Sequence, residues 1–238
     1  MKWIPLLILL LFSGCSSSDT AIIEKIDTVP DEIEKNPILV EQQEEKSEEF
    51  IEFSLEDEQI LISLKMVPIL SEYLKGVSNR KQAINKMHLQ RISAESHAIY
   101  LLEFSCVKDS CSYLLFYPTN EKLAYLVADI VKFNDFIFSP DESKVVLHFN
   151  RFHSIESNLD TVVAVDLESW KLLSLNNETG NDTILNYRWP FLSIEWLDNE
   201  NITIATPDII EPTLELLTAW HEFDDRLTID TIFSLTSD

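Results

Sequence analysis

From His88 onward, the chain consists of short apolar runs that alternate with polar turns, and this pattern constrains the fold more than any other feature. Hydrophobic residues within the runs recur at a period of two, which is typical of β-strands. The whole chain has three glycines, so its tight turns depend on Asn, Asp, Ser and Pro. The sequence therefore predicts an antiparallel β meander. The predicted strands are 97–104, 112–117, 123–130, 136–138, 144–149, 161–167, 171–175, 192–197, 201–205, 214–220 and 227–235.

Two pairs of segments within this region resemble each other. Residues 137–146 align with 194–203, and residues 114–123 align with 163–172, each as strand, polar turn and strand. A repeat of about 45 residues is the size of one four-stranded propeller blade. We therefore expect residues 88–238 to form a mainly β domain of about three blade-like, four-stranded antiparallel meanders.

Two phrases in the repeats are similar to known sequences. Phe138-Ser139-Pro140-Asp141 and Val165-Asp166-Leu167-Glu168 resemble phrases in the TolB-like and WD-repeat-like β-propeller blades of bacterial envelope proteins. The chain departs from these blades at Glu142 and Trp170, where they usually carry Gly. An array of three units also leaves open sheet edges, which we expect the preceding helices or a partner to cover.

Residues 53–87 carry a helical pattern. Ser54 precedes an acidic turn, as a helix N-cap does, and the apolar residues from Ile60 to Leu64 follow at helical spacing. Pro68 interrupts this run, and a second amphipathic stretch continues from Leu70 to about Met87. We expect one or two helices before the β domain.

The N-terminus has the pattern of a secretory signal. Lys2 precedes an apolar run that ends at Phe12 and is too short to span a bilayer. The following Leu11-Phe12-Ser13-Gly14-Cys15 resembles the lipobox of bacterial lipoproteins, although Phe12 stands where Leu is usual. The resemblance implies a signal peptide over residues 1–14 and a lipid-bearing Cys15 as the mature N-terminus. The alternative is an ordinary secreted protein with Cys15 beside its cleavage site by chance.

Residues 15–52 form an acidic segment with few aromatic residues. Such composition does not bury enough apolar surface to order a chain, so it predicts a disordered tether between lipid and domain. Its Ile and Val residues leave open the alternative of a short docking strand. The lipobox places the domain in the cell envelope, lipid-anchored on the extracytoplasmic side of a membrane, inner or outer.

The chain carries 18 basic and 41 acidic residues, a formal net charge of −23. This charge repels nucleic acid and anionic lipid, so we expect no nucleic-acid partner. It favours basic partners, or it is a generally solvated acidic surface. We expect the membrane to be contacted through the N-terminal lipid alone.

Two further cysteines, Cys106 and Cys111, flank a predicted turn. In an oxidising compartment a disulfide that closes this hairpin is the simplest interpretation. Two free thiols or a redox pair are the alternatives.

No catalytic, cofactor or metal motif is present in the sequence. His148 and His153 are close in the chain, but their odd spacing places them on opposite faces of a strand. The polar stretches 176–182 and 198–201 lack the full spacing of calcium loops and are interpreted as turns. We therefore expect no metal and no cofactor.

These features favour a non-enzymatic envelope protein whose β domain binds a protein or a surface polymer. The alternatives are an envelope enzyme or enzyme accessory, with a site in a cleft at a blade rim, and a spacer without specific affinity. Trp170, in a predicted two-strand turn, is the candidate partner contact, because exposed Trp is enriched at binding hot spots. The alternative is that Trp170 packs against a neighbouring blade.

Overall fold

The computed structural model describes residues 23–26, 36–42, 48–93, 98–117, 124–154, 157–177 and 184–237. Strands dominate this part of the chain, with three helices among them. The strands are β1 Ile23–Ile26, β2 Ile38–Gln42, β3 Glu48–Ser54, β4 Gln59–Ser63, β5 His88–Ser93, β6 Ala98–Val107, β7 Ser110–Phe116, β8 Tyr125–Phe138, β9 Lys144–Ser154, β10 Ser157–Asp166, β11 Lys171–Asn176, β12 Ser193–Trp196, β13 Asn201–Pro207 and β14 Thr228–Thr236. The helices are α1 Pro68–Gly76, α2 Arg80–Ile84 and α3 Leu214–Glu222. None of these helices has the length and apolar character needed to cross a bilayer.

The first four strands form a small antiparallel sheet in the order β1-β4-β3-β2. The prediction of a disordered tether over residues 15–52 is therefore wrong for the described part of that segment. Ile23, Phe50 and Ile51 are buried in this sheet, and their burial favours order despite the acidic residues between them. The docking-strand alternative was the better interpretation, while Cys15 and the signal peptide lie outside the described residues.

The predicted helix that begins at Ser54 is also wrong. Residues 55–58 form a turn closed by the Leu55 N–H, which donates to the Glu58 carbonyl at 2.9 Å, and β4 follows. Every residue of β4 is buried, so its apolar run has no polar face and its periodicity does not distinguish helix from strand.

The second predicted helical stretch is confirmed as α1 and α2. Pro68 occupies the first turn of α1, where its missing N–H costs no intrahelical hydrogen bond. Asn79 caps α2 by accepting a hydrogen bond from the Gln82 N–H at 3.0 Å. Leu70 and Leu74 face the core from α1.

The remaining strands form one antiparallel sheet in the order β12-β13-β14-β11-β10-β9-β8-β7-β6-β5. The mainly β, antiparallel prediction is confirmed, but separate propeller blades are wrong. β8 pairs with β7 through its first half and with β9 through its second, and β11 is shared between β10 and β14 in the same way. Because these strands are shared, the sheet is continuous, and it is neither closed nor propeller-like.

Residues 214–220, predicted as a strand, lie in helix α3. Thr213 caps this helix, its hydroxyl accepting a hydrogen bond from the Leu216 N–H at 3.3 Å. Leu217 and Trp220, three residues apart, are its buried positions. Three-residue spacing is typical of a helix, but the apolar residues of this segment are also compatible with a strand.

Three apolar cores fill the spaces between the layers. The first joins the small sheet and α1 to one face of β5–β7, and Tyr100 is buried there. The second joins the opposite face of β6–β7 to β9 and β10 around Phe149. The third joins the other face of β9 and β10 to β13 and β14 around Phe233. Strands between two cores are apolar on both faces, which explains their unbroken hydrophobic runs.

The first pair of similar segments forms two comparable hairpins. The β8–β9 and β12–β13 turns lie in contact, and the Asp141 N–H donates to Asn199 Oδ1 at 3.1 Å. Glu142 and Trp170 have φ of 58° and 53°. Both are left-handed conformations, which glycine adopts with less strain than other residues.

Candidate binding cleft

The predicted disulfide is present. Cys106 and Cys111 are bonded, with an S–S distance of 2.16 Å, across the β6–β7 hairpin. Glu103 Oε1 lies 3.5 Å from Cys106 Sγ, so these three side chains form a compact group. Since both sulfurs are bonded to each other, the group has no thiolate to offer a metal ion.

Trp170 is buried, which corrects its interpretation as an exposed partner contact. Its side chain is 4% exposed and belongs to the second core. The ring lies 5.1 Å from that of Tyr117 and 5.7 Å from that of Tyr125, and the Tyr125 hydroxyl donates to the Trp170 carbonyl at 2.7 Å. The indole folds back from the turn onto the sheet, and this packing outweighs the left-handed φ.

The polar stretch 198–201 is a self-contained turn. The Asp198 carboxylate accepts hydrogen bonds from the N–H groups of Glu200 and Asn201, at 2.7 and 2.8 Å. The Asn201 side-chain amide adds a third donor, and these bonds lower the pKa of Asp198. Its oxygens accept hydrogen bonds from the turn itself, so residues 198–201 form a polar turn.

A polar cluster that the sequence did not reveal lies at the margin of the third core. His148 on β9 and Asp160 on β10 face the same side of the sheet, because Val162 is the direct partner of His148 and Asp160 is two residues away. The His148 Nε2 donates to Asp160 Oδ1 at 2.8 Å. The Asp160 side chain is 7% exposed, so this carboxylate is held in a nearly dry setting.

A β-bulge brings a third residue to the pair. Phe133 pairs with Phe149 and Asp135 with His148, which leaves Asn134 as the extra residue of β8. The Asn134 side-chain amide lies 3.3 Å from His148 Nε2 and 3.5 Å from Asp160 Oδ1. Asn150 in turn donates to Asn134 Oδ1. The bulge thus places a polar side chain where a regular strand would not.

Asp160 also fixes the segment that forms the opposite wall. Its Oδ2 accepts a hydrogen bond from the Phe191 N–H at 2.9 Å. Its backbone N–H donates to the Trp189 carbonyl at 2.8 Å, and its carbonyl accepts from the Tyr187 N–H at 3.0 Å. One buried residue therefore sets the path of residues 187–191, and the Phe191 ring stacks on His148 at 5.9 Å.

Between these walls lies a cleft of about 190 Å³. Its lining is mixed, because His148, Asp135 and Ser193 stand among apolar residues. Asp135 and Ser193 are exposed, while His148 is half-buried. The lining residues are Asp135, Phe136, Ile137, Val146, His148, Phe191, Leu192, Ser193 and Ile194.

The cleft suits one small group with an apolar body and a polar tip. Pockets for separate small-molecule ligands usually measure about 300–1,000 Å³. This cleft is smaller, so it fits a single inserted side chain better than a whole ligand. Among the described residues, the hydrogen bonds of His148 all involve Nε2 and none involves Nδ1.

In the sequence, His148 stands out only through its proximity to His153. The side chain of His153 lies outside the described residues, and Asp160 is the partner that the structure supplies instead. The one feature of the sequence that could have indicated this cluster is a polar residue within each of two apolar strands, His148 in β9 and Asp160 in β10. Compared with known families, curated proteins and solved structures, the chain matches none.

Proposed function

We propose that the chain is a lipid-anchored protein of the bacterial cell envelope whose β domain binds another protein through the cleft at His148. The proposed location in the envelope rests on the lipobox-like sequence that ends at Cys15. The binding role comes from the cleft, and its small volume with mixed lining is the single observation that supports a partner's side chain as guest. A surface polymer is the less favoured partner, because Phe136, Ile137 and Ile194 make the walls apolar.

The anchor is tested separately from the binding site. Cys15→Ser should release the protein from membranes, and mass spectrometry should find acylated Cys15 at the N-terminus of the wild type. An unmodified N-terminus at another residue would refute the lipoprotein assignment. Ser16→Ala, at the neighbouring position, should leave the protein in the membrane fraction.

The binding role is tested by filling the cleft. Ser193 and Glu195 are both exposed on β12 and face the same side, but Ser193 lines the cleft and Glu195 does not. Ser193→Trp should abolish recovery of the partner after chemical crosslinking in membranes, and Glu195→Trp should leave recovery intact. Both variants should keep the wild-type unfolding midpoint, and equal recovery from both would refute the cleft as the binding site.

The second candidate is an enzyme that uses the same cleft. Asp160 orients the His148 ring in one tautomer, which is how a general base is commonly held. The Ser193 hydroxyl lines the cleft and would be the nucleophile. Labelling of Ser193 by a serine-reactive fluorophosphonate, lost in His148→Gln, would favour this candidate. Labelling no greater than that of Ser143, an unrelated surface serine, would exclude it.

A further inference from the structure

The first half of β14 has one backbone edge without a strand partner in the described structure. β13 pairs with β14 from Thr228 to Ser234. On the other side, β11 pairs with β14 only from Ser234 to Thr236. Residues 228–233 therefore present a row of backbone donors and acceptors to whatever lies beside them.

Apart from the charge of Asp230, this edge lacks the features that usually protect exposed strands. Natural edges carry Lys or Pro, are interrupted by a bulge, or are very short. β14 contains neither Lys nor Pro, and its register with β13 runs without a shift. By contrast, the terminal strand β12 has four residues, and the other terminal strand, β5, carries Arg91.

The side chains around the edge are apolar and acidic. Ile229 and Ile232 on the strand are 44% and 54% exposed, and Phe223 and Leu227 before it are 67% and 65% exposed. These residues lie in a chain segment, 222–232, that has four acids and one base. The acids are Glu222, Asp224, Asp225 and Asp230, all exposed.

Arg226, the one base of this segment, already lies against an aromatic ring. Hydrogen bonds also fix the loop that precedes β14. The Arg226 guanidinium lies 5.6 Å from the centre of the Trp220 ring. The Trp220 indole N–H donates to the Leu227 carbonyl at 2.7 Å, and the Leu227 carbonyl also accepts from the Asp208 N–H at 3.0 Å. The approach to the edge is therefore preformed, which lowers the entropy lost on binding.

We propose that an extended, basic segment of a partner protein adds to the β14 edge as a further strand. Main-chain hydrogen bonds would supply affinity, alternate apolar residues would cover Ile229, and Lys or Arg on the opposite face would lie beside Asp230. A second copy of this chain is disfavoured, because its net charge of −23 would meet the same charge and its Asp230 would approach this one. This inference concerns a surface other than the His148 cleft and does not depend on it.

The test uses the full chain and a synthetic peptide of alternating Val and Lys, with a peptide of alternating Val and Glu as control. The basic peptide should bind, should weaken as salt is raised, and should slow amide hydrogen exchange at residues 228–233. Asp230→Lys should lower the peptide affinity by about tenfold or more. Glu72→Lys, the same charge change at an exposed position on α1, should change it by less than about twofold.

Three results would overturn the proposal. The first is equal loss of affinity in Asp230→Lys and Glu72→Lys, which would mean attraction to overall charge. The second is amide protection outside residues 228–233. The third is a dimer in sedimentation whose own contact protects these residues without peptide. Ile229→Asn is a second variant at the same edge, on the face that the Val residues would cover, and it should also weaken peptide binding while keeping the wild-type circular dichroism.

Discussion

The Nε2 of His148 lies 2.8 Å from Oδ1 of Asp160, and the same carboxylate accepts the Phe191 N–H on its other oxygen. Asp160 thus joins two neighbouring strands to the segment that walls the cleft. Because this carboxylate is nearly buried, each donor that it satisfies would be left without a partner if it were removed.

Asp160→Ala should therefore destabilise the protein by about 3 kcal/mol, since leaving a buried donor unsatisfied costs about 1–3 kcal/mol. Asp160→Asn should cost less, because one oxygen acceptor remains. Urea denaturation measures both. The control is Asp135→Asn, an exposed acid on the cleft margin, which should change the free energy of unfolding by less than about 0.5 kcal/mol. Equal effects at both positions would contradict the role given to Asp160.

Trp170→Ala should destabilise the protein by about 3–5 kcal/mol, as truncation of a buried aromatic residue typically does. The loss comes from the packing of the indole against Tyr117 and Tyr125. Leu172→Ala, two residues later and 43% exposed, should cost less than about 1 kcal/mol. An unchanged midpoint in Trp170→Ala would show that the indole is not part of the core.

The disulfide should stabilise the protein by about 2 kcal/mol, the chain-entropy value for so short a loop. Unfolding of the Cys106→Ser, Cys111→Ser double variant in urea, compared with the wild type, measures this. The oxidised wild type should show no free thiol at these two positions before reduction. Recovery of two reactive thiols there would contradict the bond.

Lowering the pH should reduce the stability of the protein as Asp141 becomes protonated. Hydrogen bonds from Ser139 and Ser143 lower the pKa of Asp141 to about 2, against an ordinary value of 3.8. A carboxyl whose folded pKa is depressed stabilises the fold above its unfolded pKa and loses that effect as pH falls through the folded pKa. The stability difference between wild type and Asp141→Asn should therefore shrink between about pH 4 and pH 2.

Ser143→Ala removes one of the three hydrogen bonds that Asp141 accepts, the one from the Ser143 hydroxyl, and leaves those from the Ser139 hydroxyl and the backbone N–H of residue 143. Its N–H still donates, so the variant should show the same pH trend with a smaller amplitude. Thermal unfolding across this pH range measures both variants. If the difference in stability between wild type and Asp141→Asn does not vary with pH, the lowered pKa of Asp141 is contradicted.

Much of the β architecture could be predicted because polar turns separate the strands clearly. The β8–β9 and β12–β13 hairpins follow the self-similarity of the sequence. β8 was predicted as two strands with a gap, because the bulge at Asn134 breaks the alternation of apolar residues while the strand continues. Because β8 and β11 each pair with two different neighbours, the expected blades form one continuous sheet. No local sequence pattern specifies such sharing.

The errors at β4 and α3 have a common cause. Gln59–Ser63 is buried throughout, so neither a period of two nor one of 3.6 is visible. Leu214–Glu222 is a helix of which few residues are buried, and its apolar residues were equally compatible with a strand. In both segments tertiary packing decided the conformation.

The cleft could not be predicted from the sequence. Its geometry depends on the register that sets His148 diagonal to Asp160 and on the extra residue at Asn134. Both depend on how separate strands pair with one another, which the local sequence does not specify. For Trp170, the turn position suggested exposure, whereas the neighbouring tyrosines that bury it come from other segments of the sheet.

The most direct test of the proposed function is site-specific photocrosslinking in intact membranes, with a photoreactive amino acid placed at Ser193 or at Glu195. The partner should be captured from position 193, and capture should fall when His148→Ala or Phe191→Ala is added. Position 195 should yield little adduct. Capture from both positions with equal efficiency, unaffected by His148→Ala and Phe191→Ala, would contradict binding through the cleft.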